Sequence, residues 1–205
     1  MKIAILGTRG IPNNYGGFEQ CAESLSIGLV EKGHDVTVYN PDFHPYKKQD
    51  YQGVKIQRIY SPQSYLGSAA SNFVFDYLSL KHAVKQKFDI ILELGLITAA
   101  PAIIFCSKGS SIIVTNLDGL EWKRAKWSPT IRSITKWLEK FGVRNSNYLV
   151  ADNIAIQEYI KHRYNTKSEF IAYGTDEVSD LSIQTIEKYL IKRGGFILTI
   201  ARLEP

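Results

Sequence analysis

Short runs of Ile, Val and Leu alternate along the chain with longer stretches in which apolar residues recur every three or four positions. This is the pattern of a parallel β-sheet covered by helices. Strands are predicted at about 2–6, 35–39, 54–60, 89–93, 112–116, 147–151 and 169–172, and helices at about 18–32, 70–86, 97–107, 129–143 and 153–163. Runs such as "DIILEL" and "SIIVTN" are apolar on both faces, as a sheet buried on both sides requires. The expected fold is α/β, a Rossmann-like doubly wound parallel sheet. Gly33 is placed to stop a helix before the second strand. Ser128 reads as an N-cap, Pro129 as a first-turn residue and Gly142 as lying near a helix end. Beyond a polar turn, a further helix is predicted in "LSIQTIEKYLIKRGG". The apolar run Phe196–Ile200 is either a last strand of the same sheet or the opening of a second domain.

Composition narrows the class. With 205 residues, 44% of them hydrophobic and 22% charged, the chain has the make-up of a packed globular domain, or of one domain and the start of another. No apolar stretch is long enough to span a membrane, and the N-terminal apolar run is too short for a signal peptide. A cytoplasmic location is therefore expected. Cys21 and Cys106 have no metal-like spacing and read as buried reduced thiols, with no metal site expected.

The stretch between the first strand and first helix, "GTRGIPNNYGGFEQ", sits where a nucleotide loop would sit. It fails the dinucleotide pattern twice: Gly7 and Gly10 are spaced wrongly for G-x-G-x-x-G, and the second strand ends "VTVYN" without an acid for a ribose. It also fails the P-loop pattern, since no lysine follows Gly16 or Gly17. What remains is a long loop whose glycines allow close approach to a helix N-terminus, favourable for an anion or a polarised hydroxyl. Arg9 offers a charge-assisted contact to phosphate or carboxylate.

The segment "KIAILGTRGIPNNYGGFEQCAESLSIGLVEKGHDVTVY" resembles the N-terminus of two-Rossmann-domain (GT-B) glycosyltransferases of family 4, especially a bacterial rhamnosyltransferase-related branch of surface-polysaccharide synthesis. "TNLDGLEWKRAKW", "YGTDE" and "ILTIARLEP" resemble three later stretches in the same order. The resemblance implies the N-terminal half of a GT-B architecture: an acceptor-side domain over residues 1–176, then a connecting helix and first strand of a donor domain over 177–205. It implies a retaining enzyme that moves a sugar from a nucleotide-sugar, used as substrate and not as cofactor, to a saccharide or polyprenyl-linked acceptor. On this footing Gly16, Gly17 and Arg202 would face the donor, and Arg9, Tyr15 and Glu19 the acceptor. Asp118 and Glu121 are the catalytic candidates. Asp118 stands where related enzymes often carry histidine, and a carboxylate there would orient a sugar hydroxyl or stabilise oxocarbenium-like charge. The 205 residues alone are expected to be nearly inactive. The alternative is a non-catalytic carbohydrate-binding or membrane-docking module.

Charge is uneven. Between Glu121 and Arg144, seven basic residues stand against two acidic ones, which accounts for a charge of +5 equal to that of the whole chain. On a helix from Pro129, Ile131, Ile134, Trp137, Leu138 and Phe141 share a broad face expected to pack on the core, while Arg132, Lys136 and Lys140 form a stripe. With Trp122, Lys123, Arg124, Lys126 and Trp127 just before it, the segment is a candidate contact with an anionic membrane surface. Nucleic acid is a poorer fit, since no recognition motif accompanies the charge.

Overall fold

The computed structural model describes residues 1–106, 109–117, 119–125 and 127–175, together with residues 189, 195–197 and 199. The chain divides into two compact units, Met1–Tyr173 and Gly174–Pro205. In the first lie eight strands: β1 (Lys2–Leu6), β2 (Asp35–Pro41), β3 (Asp50–Tyr51), β4 (Val54–Ile59), β5 (Ile90–Glu93), β6 (Ile112–Leu117), β7 (Tyr148–Ala151) and β8 (Glu169–Phe170). They form one sheet in the order β3-β4-β2-β1-β5-β6-β7-β8. Every neighbouring pair is parallel except β3 with β4. The five helices are α1 (Gly17–Glu31), α2 (Gln63–Lys85), α3 (Leu96–Phe105), α4 (Pro129–Asn145) and α5 (Ile154–Tyr164). In the second unit, the predicted helix after residue 180 and the strand at Phe196–Ile200 fall mostly outside the described residues.

The strand alternation does what a sheet buried on both faces requires. Along β1, Ala4 and Leu6 join a cluster with Phe75, Leu80, Ile91 and Ile103, while Ile5 points the other way into a cluster with Ala22, Val36, Val38 and Val54. A third cluster, with Leu117, Leu149, Ile156 and Ile160, lies beneath α4 and α5. Burial of these side chains, at about 1.5–3 kcal/mol each, supplies most of the driving force for folding.

Three local expectations need correction. The antiparallel β3 is only two residues long and pairs through a tight turn at Gln52-Gly53, both with positive φ, so it leaves no periodic signal. Helix α2 starts several residues earlier than predicted, because its first turn is set off from the rest by a non-helical Gly67. Gly142 lies in the last turn of α4, near the helix end as expected, but it does not stop the helix, which runs on to Asn145. Instead it lets α4 cross close to α3, since a Cβ there would fall on the Leu96 side chain. The Ser128 cap is present, its hydroxyl accepting from the Ile131 N–H, with Pro129 opening the helix. Cys21 and Cys106 are free and half-buried, not fully enclosed: Cys21 lies on a partly covered face of α1, and Cys106 follows the last residue of α3 in extended conformation.

Candidate functional site

In a doubly wound sheet, ligands collect at the carboxyl ends of the strands where the order reverses, here between β1 and β5. The loop after β1 enters that edge at Gly7, with φ of 80°. A Cβ at Gly7 would fall on the Glu93 carboxylate and on the backbone of Leu94 and Gly95. In a dinucleotide fold, the glycines of this turn leave room for a pyrophosphate. In this chain that room holds the side chain of Glu93, which is why the altered glycine spacing goes with a different site.

The rest of the loop is braced from behind. Asn40, fully buried at the end of β2, grips the peptide of Ile11 from both sides: its Oδ1 accepts from the Ile11 N–H at 3.1 Å and its Nδ2 donates to the Ile11 carbonyl at 2.7 Å. The approach is close enough that a Cβ on Gly10 would meet this amide. Where a dinucleotide enzyme keeps an acid for ribose, this chain uses an amide to hold its own loop. Helix α1 contributes two more struts at i and i+4, which place them on one face. Glu19 Oε1 accepts from the Arg9 N–H at 2.8 Å, and Glu23 Oε2 accepts from the Asn13 N–H at 2.5 Å. Asn13 Oδ1 accepts from the Tyr15 N–H at 3.0 Å, and the Ile11–Pro12 peptide is cis.

On the outer side, the Arg9 guanidinium lies 3.9 Å from the centre of the Tyr15 ring, a cation–π contact that aims the pair outward. Tyr15 is about half exposed, and Arg9 is partly so. Glu19 is only 4% exposed, so its carboxylate positions the Arg9 backbone and does not itself reach the surface. Gly16 precedes α1 in extended conformation with no side-chain cap on the first-turn amides, and nothing lies within 4 Å of a Cβ placed at Gly17. The positive end of α1 is thus open at the mouth of the loop.

Behind Gly7 sits a group that the apolar pattern concealed. Glu93 and Asp76, from β5 and α2, are 0% and 2% exposed. Glu93 Oε1 accepts from the Gly95 N–H at 3.2 Å, while its Oε2 has no partner. Burial pushes Asp76 up to about 7, against a hydrogen bond from Thr98 of α3. Burial, then the charge of Asp76, push Glu93 well above the usual carboxylate range. Two buried carboxyl groups, one of them raised by the charge of the other, cannot both ionise cheaply, so the pair retains a proton near neutral pH. The available signal was a lone acid, Glu93, inside the otherwise apolar run Ile90–Leu94.

After β6 the chain makes a short 3-10 turn over Glu121–Lys123. Both oxygens of Glu121 are engaged: Oε1 accepts from Trp127 Nε1 at 2.8 Å and Oε2 pairs with Arg124 Nε at 3.0 Å. These bonds close the turn and hold Glu121 against its own segment. Asp118, Lys126 and Arg202 lie outside the described residues. Asn116, buried at the end of β6, donates to the Tyr173 hydroxyl at 2.9 Å, and Tyr173 meets Phe18 of α1 edge-on. No group of His, Cys, Asp and Glu suited to holding a metal ion occurs among the described residues.

With this geometry in place, the sequence matches the family described as "Domain of unknown function (DUF1972)" over residues 1–176. The chain belongs to the DUF1972 family. No curated protein matches it. Among solved structures, this DUF1972 chain is similar in fold to sucrose-phosphate synthase from Thermosynechococcus elongatus. The TM-score is 0.69 at 14% identity, over 85% of this chain and 48% of that one. It is also similar to Arabidopsis thaliana UGT89C1 complexed with UDP-L-rhamnose, with a TM-score of 0.51 at 13% identity, over 87% and 53% of the two chains. A UDP-GlcNAc 2-epimerase from Methanocaldococcus jannaschii aligns with a TM-score of 0.50 at 14% identity, over 85% and 46%. The DUF1972 chain spans about half the length of each of these three. The α/β Rossmann-like fold is shared with all of them.

The basic aromatic segment of the DUF1972 chain differs from expectation. The face of α4 that packs inward is Thr135, Leu138, Glu139, Gly142 and Val143, and Ile131, Ile134 and Trp137 are 39%, 52% and 55% exposed. The reason lies in the neighbours: Gly142 admits α3, and Glu139 accepts from the hydroxyls of Tyr159 and Tyr164 of α5 at 2.6 and 2.5 Å. Small and polar residues therefore fit the interface better than the large apolar stripe. Trp122 is half-buried against Tyr159, with Lys136 4.4 Å from its ring centre. Arg132 is half-buried and donates to the Ala125 carbonyl, whereas Lys123, Arg124 and Lys140 are exposed. No helix among the described residues is long and apolar enough to cross a membrane.

Proposed function

We propose that this chain is the acceptor-side half of a retaining GT-B glycosyltransferase, moving a sugar from a nucleotide-sugar to a saccharide or polyprenyl-linked acceptor in surface-polysaccharide synthesis. The observation that carries the reading is the loop after β1: closed to a dinucleotide by Glu93, braced by Asn40 and Glu19, and opening at its far end onto the uncapped N-terminus of α1. A nucleoside diphosphate leaving group gathers negative charge as the glycosidic bond breaks, and preorganised helix amides and cations stabilise such charge best. In this reading the backbone at Gly16 and Gly17 and the guanidinium of Arg202 meet the donor, while Arg9 and Tyr15 meet the acceptor. Glu19 acts by positioning Arg9. Asp118 orients a sugar hydroxyl or stabilises oxocarbenium-like charge, and Glu121, held by Trp127 and Arg124, closes the turn over Glu121–Lys123. The main donor contacts come from a second Rossmann-like half. The rhamnosyltransferase-related branch is supported by the motif order along the sequence. The test is sugar transfer by a protein carrying both halves, using radiolabelled UDP- and dTDP-sugars with a lipid extract as acceptor. Residues 1–205 alone are expected to give little turnover.

A second, compatible reading is favoured by the exposed stripe Ile131, Ile134 and Trp137, with the exposed Lys123 and Lys140 in the same segment. We propose that it rests on an anionic membrane, each nearby cation contributing about 1 kcal/mol. Trp122, Arg124, Arg132 and Lys136 are engaged within the fold, Arg124 through its ion pair with Glu121, and add only to the local field. Equal sedimentation with neutral and anionic vesicles would refute this docking.

A further inference from the structure

At the carboxyl ends of β2 and β4, on the same sheet edge as the β1 loop, lies a cavity of about 470 Å³ lined by Asp42, Phe43, Tyr60, Ser61, Gln63 and Ser64. Its walls are fixed by their own backbone bonds. Asp42 Oδ1 accepts from the Ser61 N–H at 3.1 Å, the Asp42 N–H donates to the Ile59 carbonyl at 2.9 Å, and Lys47 Nζ donates to the Asp42 carbonyl at 2.9 Å. The third wall, the first turn of α2, is set apart from the rest of that helix by the break at Gly67. The cavity is joined to the loop through β2, since Asn40, which grips Ile11, lies two residues before Asp42.

We infer that this cavity is the subsite for a saccharide ring of the acceptor, an assignment that rests on the glycosyltransferase reading above and gives its acceptor a seat. Phe43 and Tyr60, both lining the cavity, are 44% and 54% exposed, which leaves aromatic surface available to a ligand. An aromatic face receives the C–H side of a pyranose, and the hydroxyls around the ring need acceptors and donors at its edge. Asp42, Gln63 and Ser64 supply both. The volume falls within the roughly 300–1,000 Å³ of small-molecule sites. A phosphate or nucleotide is disfavoured by the Asp42 carboxylate, and an acyl chain would make no use of that carboxylate or of the Gln63 amide. A neutral, polyhydroxylated ring satisfies both constraints.

The test is saturation-transfer NMR on the 205-residue chain with methyl α-L-rhamnoside, methyl β-D-glucoside and methyl β-D-galactoside, and glycerol as the polyol control. At least one glycoside is expected to receive saturation on its ring C–H protons where glycerol does not. Tyr60→Ala should weaken its binding by about two- to tenfold, the range of a single aromatic contact, and Tyr60→Phe should restore it. Both variants change an exposed side chain, and circular dichroism checks that the fold is kept. No glycoside signal above glycerol, or an unchanged signal in Tyr60→Ala, would overturn the assignment. The two levels separate in the transfer assay. Transfer whose acceptor KM is indifferent to Tyr60→Ala removes the subsite and keeps the transferase. Glycoside binding at Tyr60 in a two-half protein that transfers no sugar does the reverse.

Discussion

Replacing Glu93 by Gln should change how stability depends on pH, and the size of the change follows from burial. Asp76 is 2% exposed and is pushed up to about 7 from an ordinary value of 3.8. Glu93 is raised as well, by burial and by Asp76. Both shifts have the same sign: the folded chain holds a proton that the unfolded chain has released. The stability tied to that proton is therefore fully present below the unfolded carboxyl range, near pH 4, and is lost as pH rises toward 7 and above. A shift of about three pH units corresponds to roughly 4 kcal/mol across that window. Gln at 93 keeps an acceptor for the Gly95 N–H and turns the unpartnered oxygen into a donor, which a carboxylate at Asp76 can accept. The variant should thus lose at least half of the decline between pH 5 and 8. His44 and His82 are lowered by burial and act in the opposite sense below about pH 6.5, but they are common to both proteins and cancel in the comparison. Urea midpoints at pH 5, 6, 7 and 8 read the effect directly. Equal pH slopes for the two proteins, or a wild-type stability that rises steadily over this range, would refute the shared proton.

Other substitutions probe the loop and its supports. Asn40→Ala removes both bonds to the buried Ile11 peptide and should cost about 2–4 kcal/mol in urea denaturation, with an N–H and a carbonyl left unpaired. Gly7→Ala combines a positive φ with overlap on Glu93 and should cost about 1–3 kcal/mol or more by the same assay, with partial relief in the Glu93→Ala background. Arg9→Ala removes only the partly exposed cation over Tyr15, so its unfolding free energy in urea should stay within about 0.5 kcal/mol of wild type while transfer falls. Trp137→Glu should abolish co-sedimentation with anionic vesicles without altering the circular dichroism spectrum, since Trp137 is 55% exposed.

The sheet was readable because its strands are buried on both faces, and a run such as Lys2–Leu6 has few alternatives once it is followed by a glycine turn and a helix of regular period. The loop was readable by exclusion: the spacing of Gly7, Gly10, Gly16 and Gly17 and the missing acid after β2 ruled out a dinucleotide grip. What takes the place of that acid was not readable. Asn40 works through backbone atoms twenty-nine positions earlier in sequence, and Glu93 faces a glycine from a neighbouring strand. Neither contact leaves a local pattern. Helix α4 shows the opposite failure. Its strongest apolar stripe, Ile131, Ile134 and Trp137, is turned outward. The inward face is chosen by a close crossing at Gly142 and by two tyrosines of α5 that converge on Glu139. Periodicity weighs large apolar residues, whereas helix packing at this site selects small and polar ones.

The central claim is that the β1 loop presents an acceptor to a nucleotide-sugar. It is tested most directly by following label from a panel of UDP- and dTDP-sugars into a lipid-linked or saccharide product, with a two-half protein and its Arg9→Ala variant side by side. The account predicts transfer from at least one donor, and a drop of about tenfold or more in kcat/KM for the acceptor in the variant. Absence of transfer from every donor, or transfer that is unchanged when Arg9 is removed, would contradict it.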